Sequence, residues 1–261
     1  RCRVFAICLH NVDDSLVELW DEFSSLGSKY KKGECEKLWK NFRNVGFTIR
    51  SLYRWARLDN LEEYNKFLMD ELDGLVNVSL TGTSYDIAKV FYEMHKDNYV
   101  CASVDNKSWY EFKNHRWIKL QAGYTIYNNI NEELVRNFLK IAEANGSNAV
   151  NIDGDVKNAR LARQHAAIKL CHKLRTTAFK EAIMKELAHL FYDASFLRDL
   201  NENHDLICFT NGVYDLKNNI FRDGRPEDKI SLCTNNPYVQ YNPRDSNVIE
   251  IEGFIESIMP D

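Results

Sequence analysis

Asp153-Gly154-Asp155 is the one D-x-D pair in the 261-residue chain. Two carboxylates at that spacing can hold the divalent metals of phosphoryl transfer. A glycine separates them, however, and a helical pattern follows directly, which suits carboxylates that cap a helix and complement its dipole. The capping reading is preferred, and a metal-dependent nuclease or polymerase centred on Asp153 and Asp155 stays as an alternative. A phosphate-binding loop of the G-x-x-x-x-G-K-[ST] kind is absent, with Gly27-Ser28-Lys29 the nearest approach. No HxH or HExxH spacing occurs among the seven histidines; His165 and His172 are seven apart and could share a helix face. Cys2, Cys8 and His10 lack the paired spacing usual for zinc. The expectation is no catalytic residue, no metal site and no cofactor in this stretch.

The seven cysteines are scattered and form no CxxC pair, which argues for a reducing, intracellular compartment. No run approaches the roughly 18 apolar residues of a membrane span. The start, RCRVFAICLHNVDD, has too short an apolar run for a signal peptide and opens in mid-pattern, so a piece of a longer protein is expected.

Electrostatics offers more than catalysis does. The net charge of −4 hides two basic blocks. Lys29 to Arg57 holds nine lysines and arginines against Glu34 and Glu36, interleaved with Tyr30, Trp39, Phe42, Tyr53 and Trp55. Val156 to Lys180 holds seven and no acid. Cations on phosphates and rings under bases suit single-stranded nucleic acid. The competing reading is a helical bundle with buried aromatics and solvated lysines. Lys169, Lys173, Arg175 and Lys180 are the first candidates for DNA contact, followed by Lys31, Lys40, Arg50 and Arg54.

The elements that must position these residues are mainly helical. Asp13 or Asp14 can cap a helix bearing Leu16, Leu19, Trp20 and Phe23. A second helix begins near Gly33, and Thr48 caps a third after a break at Gly46. Asp59 with Glu62 resembles a capping box for a helix ending at Gly74. Asn77 to Thr83 reads as a linker. Thr83 with Asp86 then opens a helix through Ile87, Val90, Phe91 and Met94. The period changes at Tyr99, where three strand-like runs (Tyr99–Val104, Ser108–Phe112, Arg116–Leu120) form a meander. Asn131 caps a helix ending near Asn145-Gly146. A helical region spans Asp155 to Asp193, with a candidate break at Arg175-Thr176-Thr177. On a continuous helix Lys169, Lys173 and Lys180 would cluster, while Arg160 and Arg163 point elsewhere. Leu206 to Tyr238 is turn-rich β structure, where Asn211-Gly212 is a pair suited to positive φ.

Two sets of residues carry a family resemblance. Trp20, Phe23, Ser24, Lys29, Tyr30, Glu34, Cys35, Trp39, Thr48, Ile49, Leu52 and Trp55 resemble the helical module C-terminal to archaeo-eukaryotic-type primase domains. Lys173–Leu197, the WYEFKNHRW hairpin and NGVYDL…GRPED resemble the poxvirus-type primase-helicase family, in the domain preceding the superfamily 3 helicase module. No catalytic residue carries over. The resemblance implies a central region joining primase to a ring helicase, with ATP and Mg²⁺ used only by the parent protein. It also implies single-stranded or forked DNA as partner, a hexameric ring in the parent, contacts with other replication proteins, and a host cytoplasmic factory or nucleus as location.

The expected fold class is α+β, mainly helical: a small N-terminal helical bundle, then a helical domain carrying short antiparallel β hairpins. The expected divisions are residues 1–75, a linker at 76–83, a domain at 84–247, and a connector helix at 248–261 toward a missing ATPase module. A pure protein–protein scaffold or collar without DNA contact is the alternative function.

Overall fold

The computed structural model describes residues 2–42, 49–149 and 154–259; the side chains of residues 2–4 and 50 fall outside that description. The chain divides into two compact units, each discontinuous in sequence: residues 1–97 with 124–190, and residues 98–123 with 191–261. The fold is mainly helical α+β, as expected, with two three-stranded antiparallel sheets.

The first unit begins with α1 (Cys2–Val12), a helix the sequence reading did not assign, followed by a 3-10 turn (Asp14–Leu16), α2 (Val17–Ser25) and α3 (Glu34–Trp39). Asp13 caps the 3-10 turn, its Oδ1 accepting from Ser15 N at 2.8 Å. Gly33, with φ of 80°, leads into α3 in a conformation that side-chain-bearing residues avoid. Ala6, Leu9, Trp20, Cys35 and Trp39 form the core of this bundle, with Phe42 and Leu52 packed against it. Residues 43–48, including Gly46 and the expected cap Thr48, lie outside the described residues.

Next come α4 (Ile49–Asp59), α5 (Leu61–Glu71), α6 (Asp73–Thr81) and α7 (Ser84–His95). Asp59 does not cap α5. It ends α4, and Asn60 Oδ1 instead accepts from Glu62 N and Glu63 N, both at 3.2 Å. Residues 77–81, expected in a linker, are helical in α6, which buries Val76 and Ser79 and packs on α7 and on the later helix α10 (Asp155–Leu174). Small residues signal a loop only where no neighbour covers them; here the apolar face has partners. The Thr83–Asp86 capping box does open α7, with Thr83 N donating to Asp86 at 2.8 Å.

The unit resumes with α8 (Tyr124–Asn129), a π-turn (Ile130–Leu134), α9 (Val135–Ala149), α10 and α11 (Thr177–Leu190). Asn131 therefore lies inside the π-turn rather than capping a helix. Gly146 does not end α9 either. The helix runs through it to Ala149, and the Gln164 side-chain amide of α10 lies over the glycine. α10 packs along α9, and α11 along α7, burying Phe91, Phe138, Leu174 and Leu187.

The second unit holds β1 (Tyr99–Ser103), β2 (Ser108–Lys113) and β3 (Arg116–Leu120), the expected meander. Asn114 and His115 both take positive φ in the β2–β3 turn, as a two-residue hairpin requires. After α12 (Phe196–Asp199) come β4 (Leu206–Phe209), β5 (Gly212–Asp215) and β6 (Ile220–Arg222) in sequential order, a 3-10 turn (Pro226–Asp228), and α13 (Ser246–Ile258). Asn211 and Gly212 do not use positive φ. Glycine is needed at 212 for room: a Cβ would lie 2.6 Å from the Phe221 ring and 2.7 Å from the Arg222 carbonyl oxygen. Among the described residues no helix is long and apolar enough to cross a membrane.

Candidate nucleic-acid interface

The second basic block sits on α10. This helix buries Ala167, Leu170, Cys171 and Leu174 along one side and exposes His165, Lys169, His172 and Lys173 on the other. Lysines near a helix C-terminus also complement the dipole, so position alone does not mark them as ligand-binding. Lys173 Nζ lies 4.0 Å from the centre of the Phe179 ring, which fixes its ammonium above an aromatic face. Arg175 forms the C-cap and is exposed. Thr176 Oγ1 donates to the Lys173 carbonyl at 2.7 Å, and α11 starts one residue later. The helical region is thus two helices. Lys180 belongs to the second, where its Nζ donates to Asn131 Oδ1 in the π-turn at 3.0 Å.

Lys169, Lys173 and Arg175 therefore share one helix end, whereas Lys180 is tied to a neighbouring element. Arg160 and Arg163 are engaged elsewhere, as the helical periodicity implied. Arg163 pairs with Asp73 of α6, and Arg160 reaches the Asn148 carbonyl at 3.4 Å. Asp155 lies exposed in the first turn of α10, with Gly154 at the N-cap; Asp153 lies outside the described residues. No group of three metal-capable side chains occurs among the described residues.

The N-terminal block is arranged differently. Lys31 and Lys40 are exposed on either side of α3, Arg54 is partly buried on α4, and the Arg50 side chain lies outside the described residues. Lys31 lines an open groove of about 380 Å³ together with Lys29, Ser28, Glu34 and Leu38. Of the two readings of this block, the helical bundle with buried aromatics holds for Trp39, and the reading of its ring as available under bases is corrected. Trp20 and Trp39 are only 3% and 4% exposed and stack on each other at 5.7 Å. Trp39 Nε1 donates to Asp14 at 2.7 Å, and the Tyr30 hydroxyl to Asp21 at 2.7 Å. Rings buried to hold a small bundle together cannot also stack on bases. Tyr53 remains partly exposed, against Phe67 and Tyr64.

Sequence reasoning missed a buried polar cluster in the same unit. Arg57 of α4 reaches Glu133 Oε2 at 3.4 Å and His95 Nδ1 at 3.4 Å, while His95 Nε2 stands 3.5 Å from Glu133. Burial first, then the Arg57 charge, hold the His95 imidazole well below its usual pKa. The π-turn carries Glu133 into this cluster. One signal was readable: Ile87, Phe91 and His95 fall at i, i+4 and i+8, which puts the histidine on the buried stripe of α7. Nothing in sequence pairs positions 57, 95 and 133.

The GRPED stretch is likewise built for holding. Arg222 donates to both oxygens of Asp228 at 2.8 and 2.7 Å, and Arg225 N donates to the same carboxylate at 2.7 Å. Trp117 Nε1 donates to the Pro226 carbonyl at 2.8 Å, and Trp117 N to the Ile230 carbonyl at 2.7 Å. A Cβ at Gly224 would stand 2.4 Å from the His115 carbonyl oxygen. The turn therefore clamps the β2–β3 hairpin onto the β4–β6 segment.

The comparisons with known proteins fit these two kinds of structure. Residues 2–56 match the family described as Primase C terminal 2. Over 257 residues and 97% of its length, the chain is 39% identical to a protein of Acanthamoeba polyphaga mimivirus named as a helicase, covering 27% of that protein. It is 25% identical to proteins named as helicases from Frog virus 3 and Invertebrate iridescent virus 3, covering 26% and 31% of them. The chain thus spans about a quarter to a third of the length of these relatives. Residues 88–260, more than half of the chain, match the family described as D5 N terminal like, and the chain belongs to that family.

Proposed function

We propose that this chain is the non-catalytic central region of a viral replicative primase-helicase. In this reading it links a primase to a ring helicase, supports oligomer assembly and binds single-stranded DNA without sequence preference. ATP and Mg²⁺ belong to the remainder of the parent protein, which works in the host cytoplasm or nucleus. The observation that carries the DNA reading is the exposed group Lys169, Lys173 and Arg175 at the end of α10, none of which is in a salt bridge among the described residues. Three cations on one helix end supply phosphate contacts and no base readout, so affinity should fall steeply with salt.

The test is fluorescence anisotropy with a single-stranded oligonucleotide across a salt series. Reversing Lys169, Lys173 and Arg175 to Glu should weaken binding and flatten the salt slope by roughly 0.7 for each phosphate no longer neutralised. Unchanged titrations would remove α10 from the interface. The alternative, a scaffold that never touches DNA, is favoured instead if light scattering shows oligomers while no oligonucleotide binds at low salt.

A further inference from the structure

The β4–β6 sheet and the segment after it contain two cysteines that no part of the nucleic-acid reading uses. Cys208, on β4, is buried with Val213 and Ile230, and Cys233 packs against that cluster from the segment that follows the 3-10 turn. A backbone bond from Thr234 N to Cys208 O, at 2.9 Å, holds the two chain segments side by side. The two thiols differ in environment. Cys208 Sγ is a donor inside the core, directed at the Phe209 carbonyl at 3.5 Å and the His115 carbonyl at 3.9 Å. Cys233 is only partly buried, and its sulfur accepts from Asn235 N at 3.4 Å. Cys233 is the more accessible of the two, so it meets an oxidant first as the attacking group, and Cys208 follows as the resolving one.

We propose that Cys208 and Cys233 are a redox modification site that forms a reversible intramolecular disulfide under attack by a small-molecule disulfide such as glutathione disulfide. The Cys233 thiolate attacks one sulfur of the oxidant, forming a mixed disulfide and releasing one glutathione thiolate. Cys208 then gives its proton to the released glutathione thiolate and attacks the Cys233 sulfur, and the second glutathione thiolate leaves. Two protein thiols are oxidised by two electrons, and one glutathione disulfide becomes two glutathiones. Burial, and next the adjacent Cys233, push the Cys208 thiol up to about 12, which makes resolution the slow step and preserves the reduced pair until oxidant persists. The closed loop contains β5, β6 and the Arg222–Asp228 turn. Oxidation therefore fixes the clamp that the GRPED stretch already makes.

The test is exposure of the whole chain to glutathione disulfide at mildly alkaline pH, followed by intact-mass measurement and peptide mapping without reduction. The expected result is loss of two hydrogen masses, a linked peptide pair containing Cys208 and Cys233, and a melting temperature raised by several degrees that falls back on adding a reductant. The Cys233→Ser variant, altered at the less buried position, should keep the wild-type melting temperature when reduced and should gain neither the link nor the shift. Glutathione retained on Cys233 without resolution would overturn the proposal. So would a link joining either residue to another cysteine, or no reaction at all.

Discussion

Replacing Asp228 with Ala removes the acceptor for three donors at once: both arms of Arg222 and the backbone N–H of Arg225. The Arg222 and Asp228 side chains are 10% and 8% exposed, so water cannot easily re-solvate what is left. Losing one partner of a buried ion pair costs about 3–5 kcal/mol, because the other charge stays behind uncompensated. Against a total stability of about 5–15 kcal/mol that is a large fraction. The charge pair itself is worth much less than this figure. Exchanging both residues for apolar ones, Arg222→Met with Asp228→Leu, removes the stranded charge; it leaves the Arg225 N–H short of a partner, a cost of about 1–3 kcal/mol, and the Asp223 carbonyl, which Arg222 also serves, exposed to water. The single variant should therefore be less stable than the double one. Urea unfolding followed by circular dichroism measures both, and hydrogen exchange of the β4–β6 amides locates the loss. A single variant within about 1 kcal/mol of wild type would refute the clamp, since a cost that small belongs to solvent-exposed pairs. So would a double variant worse than the single, because it would mean the pair stabilises more than its removal strands.

Other expectations follow from the same structure. The imidazole of His95 is held neutral when folded but binds a proton near pH 6.5 when unfolded, so its contribution is intact above that value and is lost as pH falls below it. Lowering pH from 7 to 5.5 should therefore destabilise wild type more than a His95→Asn variant, read from paired urea titrations; equal pH slopes would remove His95 from this account. Gly212→Ala places a Cβ against the Phe221 ring and the Arg222 carbonyl, and should lower stability by about 1–3 kcal/mol in thermal melts. An unchanged melting temperature would mean that the sheet yields freely there. If Asp155 serves the first turn of α10 alone, no divalent-metal-dependent turnover of nucleic acid should appear, and Asp153→Asn should change nothing. Metal-dependent cleavage that this variant abolishes would reinstate the two-carboxylate reading.

Much of the fold was legible because it is written in short-range chemistry. The Thr83–Asp86 capping box, the meander from Tyr99 to Leu120 and the break near Thr176 are decided by neighbours a few residues apart. The errors lie where distant packing overrode a local signal. Residues 77–81 look like linker but are helical, because α7 and α10 cover them. Gly146 looks like a helix end, yet α9 continues to Ala149 where it packs along α10. Asn211-Gly212 looks like a positive-φ turn, and the glycine is instead demanded by the Phe221 ring across the sheet.

The candidate interface divides in the same way. Sequence by itself determined which residues carry charge, that the Lys169–Lys180 stretch holds no acid until Glu181, and that Arg160 and Arg163 turn away from Lys169. A helix has a fixed angular period, so those directions need no tertiary information. Only the folded chain decided which rings are spent on the core: Trp20 and Trp39 pack on each other and are lost to base stacking. It alone brought Arg57, His95 and Glu133 together, and set Cys233 beside Cys208. Burial and ion pairing are properties of what surrounds a side chain, and that surrounding is assembled from residues far apart in the chain.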